Sequence, residues 1–385
     1  MIYLDNAATT KPKQEVIETM MPYFDEKWYN PSALYSKADE IKKDIEKARE
    51  TVGKFINANG NEIYFTSSGS ESNNWVIQGF VNRCHCLGLF PIIITSTIEH
   101  KSILSCVKNM KANVYYVDVD NKGFICLDML DSILKSIDDE KIENKAVLVS
   151  LQYANNEVGT IQPIKTLTAL AHKYGAIVHT DAVQIFGQLA IDVKELDVDL
   201  LSASGHKISA PKGIGILYKK KSVQINPLIY GTQMDEMRGG TESMPYIIGM
   251  AKAVELLNIN KKDAFKGNKT LFLRNYFINK LMENFDCKIN GSMIHRLPNN
   301  INVTFNYNIT GEALIYMLDT CDIYISAGSA CNSKSVQASY VLKAIGLTDE
   351  EAHKTIRITL NEDITIDDID NVISELKKQI QILTM

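Results

Sequence analysis

This chain is expected to be an α/β protein, with a mainly parallel sheet covered by helices on both faces and a smaller α/β domain beside it. Three observations carry that expectation. Short apolar runs alternate with stretches of helical apolar spacing from residue 63 to residue 207, the pattern of a parallel sheet with crossover helices. Five of those runs end in a polar or ionisable residue at an equivalent place: Ser70, His100, Asn155, Asp181 and Lys207. Further strand and helix signals then follow beyond residue 260. The division expected is a large domain over residues 15–260 and a small one built from residues 1–14 and 261–385.

Composition bounds the function. At 385 residues the chain is long enough for two domains. Its 45% hydrophobic and 23% charged content is ordinary for a globular protein. The net charge of −5 argues against nucleic acid as a direct partner. No run of about 18 apolar residues occurs, so no membrane span is expected. Met1-Ile2-Tyr3-Leu4-Asp5 shows no basic-then-apolar secretory pattern. Seven scattered cysteines do not form a disulfide framework, and a cytoplasmic location is expected. Cys84-His85-Cys86 lacks a second ligand pair, so no metal site is expected and the run is assigned to packing.

In chain order, a small-residue loop at residues 5–10 precedes a helix over residues 15–24. Asn30-Pro31-Ser32 is a turn. Residues 36–55 carry Ala38, Ile41, Ile45, Ala48 and Val52 at helical spacing. Ile63-Tyr64-Phe65-Thr66 is a strand that runs into Ser67-Ser68-Gly69-Ser70 and a helix through residue 81. Strands are expected over residues 91–95, 114–117, 146–151 and 176–180. Helices are expected to open at residues 99–102 and to cover 127–136 and 164–174. A last strand over residues 199–203 turns through Gly205 into His206 and Lys207, and a strand resumes near residue 214.

The chemistry lies at the strand ends, where ligands of parallel sheets sit. The Ser/Gly turn at residues 67–72 offers hydroxyls and backbone N–H groups at a helix start, which suits a phosphate. That segment taken alone fits an ordinary serine cap equally well. Lys207, desolvated behind a buried strand, can act as a neutral amine and form an imine with an aldehyde. Asp181 is a carboxylate on a buried strand end and needs a cation, such as a pyridinium nitrogen. An imine lysine with a carboxylate–pyridinium pair is the arrangement of pyridoxal 5'-phosphate enzymes.

Several stretches together resemble cysteine desulfurases of the nitrogen-fixation and iron–sulfur-cluster type, which are class V aminotransferase-like, fold-type I enzymes of pyridoxal phosphate. They include Tyr3-Leu4-Asp5-Asn6-Ala7-Ala8-Thr9-Thr10, Glu71-Ser72-Asn73-Asn74, Glu99-His100-Lys101-Ser102, Asn155-Asn156-Glu157-Val158-Gly159, His179-Thr180-Asp181-Ala182-Val183-Gln184, Ser204-Gly205-His206-Lys207, Arg238-Gly239-Gly240-Thr241-Glu242 and Ser329-Ala330-Cys331. The resemblance implies that Lys207 holds the cofactor covalently and moves protons, and that Asp181 pairs with the pyridine nitrogen. Asn155 and Gln184 would bond the phenolate oxygen. His100 would stack on the ring and act as acid and base. Ser70, Ser204 and His206, with the Gly69 backbone, would bind the phosphate, and Thr241 would reach across from the second subunit of a homodimer.

The same resemblance assigns the C-terminal part. Strands and helices over residues 300–305, 312–318 and 355–359 belong to the small domain. The run at about residues 325–336 is rich in small and polar side chains, which predicts a mobile loop. Cys331 in that loop would take the sulfur of L-cysteine as a persulfide, leave L-alanine, and pass the sulfur to an acceptor protein of iron–sulfur assembly or tRNA thiolation. Arg357 would grip the substrate carboxylate, with Asn155 also contacting substrate. The chain departs from the family pattern at Ile229-Tyr230-Gly231-Thr232-Gln233-Met234-Asp235-Glu236-Met237, at Ser243, and at Asn361-Glu362. In the first of these, bulkier residues stand where glycines are usual, which restricts the backbone. A selenocysteine lyase or an aminotransferase on the same fold, or a non-catalytic sulfur-relay scaffold, are the alternatives.

Overall fold

The structure is a computed structural model and describes residues 1–140, 142–257, 268–327 and 338–385. Its centre is a seven-stranded sheet. In chain order the strands are β1 (Ile63–Thr66), β2 (Phe90–Ser96), β3 (Asn113–Val117), β4 (Lys145–Gln152), β5 (Ile177–Asp181), β6 (Leu200–Ser204) and β7 (Gly215–Lys219). Their spatial order is β1-β7-β6-β5-β4-β2-β3. Only β7 runs antiparallel to its neighbours. The carboxyl ends of β1, β2, β4, β5 and β6 therefore share one edge, as their terminal polar residues led us to expect.

Alternation along each strand feeds both faces. Ile92 and Ile94 enter one core with Val149, Val178 and Ala203, while Ile93 enters the opposite one with Trp75, Phe80, Leu148 and Leu200. Near-continuous apolar runs are what a sheet buried on both faces requires. The helix Ser36–Phe55 buries the apolar positions read from its sequence. The helix Gly69–Cys86 runs one turn further than residue 81 and carries Cys84 into the core. The segment at residues 15–24 is two helices, Gln14–Met20 and Pro22–Asp25. Pro22 has no N–H to continue the first helix, so it begins the second instead.

A three-stranded antiparallel sheet lies beyond this core: β8 (Cys287–Ile289), β9 (Asn300–Phe305) and β10 (Thr355–Thr359), in the order β10-β9-β8. It packs with the helices Lys269–Asn284, Gly311–Asp319 and Ile366–Thr384 around its own core of Phe277, Phe305, Leu314, Ile356 and Leu376. The helix Ile366–Thr384 is not among the elements expected from the sequence. Its signal is a capping box between Thr365 and Asp368, followed by Ile369, Val372, Ile373, Leu376 and Ile380 on one face.

The N-terminal residues join the two sheets. Ile2–Tyr3 pairs in parallel with Ile323–Tyr324, and Asp5 bridges Thr359 on β10. From there the chain reaches the carboxyl edge of the large sheet, where the Thr10 N–H donates to the His206 carbonyl at 2.9 Å. Among the described residues no helix is long and apolar enough to cross a membrane.

Candidate active site

That edge opens into a cavity of about 350 Å³. Its walls carry Gly69, Ser70, His100, Asp181, Gln184, Ser204, His206, Lys207 and Arg357, nine of the residues singled out from the sequence. They come from four strand ends of one sheet and one strand of another, so only the folded chain gathers them.

Lys207 closes a single 3-10 turn after β6. The turn is tight because Gly205 has no side chain: a Cβ there would lie 2.6 Å from Ile214 Cγ2. Lys207 Nζ donates to the carbonyls of Ala7 at 2.5 Å and Ala8 at 2.7 Å. The N-terminal segment thus fixes the amine at the cavity wall.

Asp181 is the last residue of β5 and is buried. Its Oδ1 accepts from the Val183 N–H at 2.9 Å, and its Oδ2 from Asn73 Nδ2 at 2.7 Å. Both donors are neutral, which leaves the negative charge available to a cationic ring nitrogen.

His100 caps the helix Lys101–Lys108. Its Nδ1 accepts from the Ser102 N–H at 3.1 Å and lies 2.8 Å from Ser102 Oγ. Burial holds its pKa below the usual histidine value; Asp181 opposes this, and Lys207 and Lys101 add to it. The ring is therefore neutral near pH 7.

The anion end of the cavity is the start of the helix Gly69–Cys86, where Ser68 Oγ accepts from the Glu71 N–H at 3.1 Å. Ser70 is exposed and lines the opening. Ser204 Oγ is buried and has no hydrogen-bond partner among the described residues. His206 is pushed down to about 4 by burial, with help from Lys207 and Lys212, so it too is neutral; its Nδ1 lies 3.2 Å from Thr9 Oγ1. A helix start, two hydroxyls and a neutral imidazole suit a phosphate dianion. Gly69 leaves room there, since a Cβ would lie 2.6 Å from Val183 Cγ2. The unpartnered Ser204 hydroxyl, the free helix start and an Asp181 bonded only by neutral donors fit pyridoxal phosphate at its two ends, with Lys207 at its aldehyde.

Asn155 is placed differently from its neighbours. It is fully buried behind the wall, where Oδ1 accepts from the N–H groups of Glu157 and Val158 at 2.8 and 2.9 Å and Nδ2 donates to the Ile98 carbonyl at 3.2 Å. Gln152 and Asn156, not singled out from the sequence, line the cavity on either side of it. Gln184 lines it directly and donates to the Ala7 carbonyl at 3.2 Å.

Arg357 lies on β10 and is buried. Nη2 donates to Asp5 Oδ1 at 2.7 Å and Nη1 to the Asn156 carbonyl at 3.0 Å, while Nε has no partner among the described residues. It is not a surface arginine. Cys331 and most of its expected loop lie outside the described residues. The flanking chain is tied close to the site: Ser326 bridges Arg357, Ser339 Oγ donates to Glu157 Oε2 at 2.5 Å, and Tyr340 Oη to the Glu99 carbonyl at 2.7 Å.

Thr241 is exposed and does not line this cavity. Its segment is fixed by Arg238, whose Nε and Nη2 meet Glu71 Oε1 and Oε2 at 3.0 and 3.3 Å. Within it Met234, Asp235 and Glu236 take φ values of 46°, 58° and 64°. These are left-handed positions that glycine occupies without cost, so the departure from the family pattern is accommodated by side chains in strained backbone. At the departure of Asn361-Glu362, Glu362 Oε1 forms an ion pair with Lys13 at 2.5 Å.

The positioning residues Asp5, Glu71, Asn73 and Ser102 were inside the quoted motifs but had no expected role. Asn73 had a usable signal, since it lies one helical turn after Gly69 and so shares its face.

Known proteins match this chain along its length. The family described as Aminotransferase class-V matches residues 2–372. A protein of Methanosarcina thermophila called cysteine desulfurase IscS is 42% identical over 387 residues, spanning 99% of this chain and 92% of its own. A solved NifS-like protein superposes with a TM-score of 0.87 at 35% identity, over 99% of both chains. The structure described as SspA in complex with cysteine has a TM-score of 0.79 at 34% identity, over 94% of this chain and 99% of its own.

Proposed function

The chain belongs to the aminotransferase class-V family, as one of its pyridoxal-phosphate-dependent cysteine desulfurases, and we propose that it converts L-cysteine to L-alanine with Cys331 as the group that takes the sulfur. The observation that carries this reading is the convergence of Lys207, Asp181, His100 and Arg357 on one cavity.

When bound, pyridoxal phosphate supplies an electron sink for an amino acid attached to it through nitrogen. Lys207 Nζ would hold the cofactor covalently and would accept and return a proton at the substrate Cα. Asp181 keeps the ring nitrogen protonated. Gln184 and Asn155 serve the phenolate side, Asn155 by shaping the loop behind the wall. Ser70, Ser204, His206 and the Gly69 backbone hold the phosphate, and His100 offers Nε2 to the reacting groups. Arg357 pairs with the substrate carboxylate. Overall, the thiol of Cys331 and L-cysteine give the Cys331 persulfide and L-alanine. The C–S bond of the substrate breaks, an S–S bond forms, and a proton ends on the alanine methyl.

The working unit in this reading is a homodimer in the cytoplasm, with Thr241 contributing to the partner's phosphate site. The persulfide passes its sulfur to an acceptor protein that serves iron–sulfur assembly or tRNA thiolation. Alanine release from L-cysteine by the cofactor-loaded protein, beside Cys331→Ser and with a thiol reductant present, tests the reaction. Alanine from the wild type and a large loss in the variant are expected. Equal rates would remove Cys331 from the chemistry and favour selenocysteine lyase activity. No alanine from a cofactor-loaded wild type would overturn the desulfurase assignment for the isolated protein.

A further inference from the structure

We propose that Asn73 is a positioning residue that couples the Asp181 carboxylate to the proton arrangement of His100, acting through Ser102. The chain of contacts is continuous. Asn73 Nδ2 lies 2.7 Å from Asp181 Oδ2 and 2.9 Å from Ser102 Oγ, and Ser102 Oγ lies 2.8 Å from His100 Nδ1. It rests on the reading of this cavity as the cofactor site.

The direction of every hydrogen in the chain follows from chemistry. A carboxylate only accepts, so the atom of Asn73 facing Asp181 is the amide nitrogen. Its flip would set two oxygens 2.7 Å apart in a buried place. The second amide hydrogen of Asn73 then goes to Ser102 Oγ, which is an acceptor there and turns its own hydrogen to His100. The Ser102 backbone N–H points at the same ring nitrogen at 3.1 Å. Two donors thus meet Nδ1, which must be bare, and the ring proton sits on Nε2.

The consequence is functional. A histidine over the cofactor serves as acid or base only through the nitrogen that faces the reaction. With Nδ1 committed to Ser102, Nε2 is that nitrogen, and it carries the proton in the neutral ring. The charged groups that face the ring, Asp181, Lys207 and Lys101, bias its protonation but do not select the nitrogen. Asn73 and Ser102 do. Asn73 also holds the carboxylate that faces the ring nitrogen, so one amide serves both groups.

The test is ring-nitrogen NMR on ¹⁵N-histidine-labelled, pyridoxal-phosphate-loaded protein near pH 8, with His100 assigned by loss of its signals in His100→Gln. The wild type is expected to show a bare Nδ1 and a protonated Nε2. In Asn73→Ala the two signals are expected to move toward each other as the second tautomer is populated, and cofactor affinity to fall about tenfold, the scale of one hydrogen bond to a charged group. Ser102→Ala keeps the Asn73–Asp181 bond, so it is expected to move the Nδ1 signal and leave cofactor affinity unchanged. A wild-type His100 protonated on Nδ1 would overturn the proposal. So would unchanged ring signals in both variants, and a cofactor affinity lost equally in both would assign the network a merely structural role. The NMR readout does not depend on which amino acid is turned over, so it stands apart from the alanine assay.

Discussion

Asp5 and Arg357, 352 residues apart in the chain, meet as a 2.7 Å ion pair between Oδ1 and Nη2. A second contact, from Nη1 to the Asn156 carbonyl, fixes the plane of the guanidinium. The arginine proposed to hold the substrate carboxylate is thus aimed by the N-terminal segment, the same segment whose Ala7 and Ala8 carbonyls hold Lys207. Asp5→Asn keeps the shape and removes the charge. It is expected to raise KM for L-cysteine by roughly tenfold with a smaller change in kcat. A fall in kcat at constant KM would place Asp5 in another role.

Glu71 and Arg238 tie the 229–242 segment to the start of the helix Gly69–Cys86, the end of the cavity proposed to hold the phosphate. Burial raises the Glu71 carboxyl, but the hydrogen bonds from Arg238 and Ser67 outweigh it and hold it below the usual carboxylate range. Arg238→Lys cannot reproduce the two-bond geometry. The variant is expected to release pyridoxal phosphate about tenfold faster, read from the decay of the cofactor absorbance after dilution. Retention at the wild-type rate would separate this ion pair from the phosphate site.

Gly69→Ala tests the close packing at the helix start. The added Cβ would lie 2.6 Å from Val183 Cγ2 and 3.4 Å from Ser204 Cβ. Overpacking of this kind costs about 1–3 kcal/mol. A lower midpoint of urea unfolding and weaker cofactor binding are expected together.

Glu99 gives a pH signature. Its carboxyl is fully buried, and burial pushes its pKa up to about 8 against hydrogen bonds from Ser96 and the Gln152 N–H. The folded protein therefore keeps this proton at pH values where the unfolded chain has lost it. The resulting stability is fully present below about pH 4.5 and is lost as pH rises toward about 8. Glu99→Gln mimics the protonated form and removes that dependence. Urea unfolding from pH 5 to pH 8 is expected to show a shallower decline in the variant. At pH 8 the variant is expected to be more stable by on the order of 4 kcal/mol. Parallel curves would mean that Glu99 is ionised in the folded protein.

Much of this protein was legible in its sequence for a local reason. Strands such as β1 and β9, and the helix Ser36–Phe55, end where the apolar periodicity ends, because each buries a face whose spacing is written in consecutive residues. The break at Met21–Pro22 was harder to place, because the apolar spacing carries on past the proline that interrupts the N–H series. The helix Ile366–Thr384 carries its signal locally too, in a capping box and a periodic face.

By itself, the sequence determined the alternating strands and helices, and which strand ends carry a lysine, a carboxylate, a histidine and hydroxyls, because a parallel sheet places such residues at one edge. Only the tertiary structure decided how they are held. Asn155 carries the right group at the right strand end, yet neighbouring backbone amides occupy its side chain behind the wall. Asp5 and Ser102 have no distinguishing pattern, and the helical spacing of Asn73 names its face but not its partners, since hydrogen bonds depend on distances of about 3 Å between segments that the chain order leaves far apart.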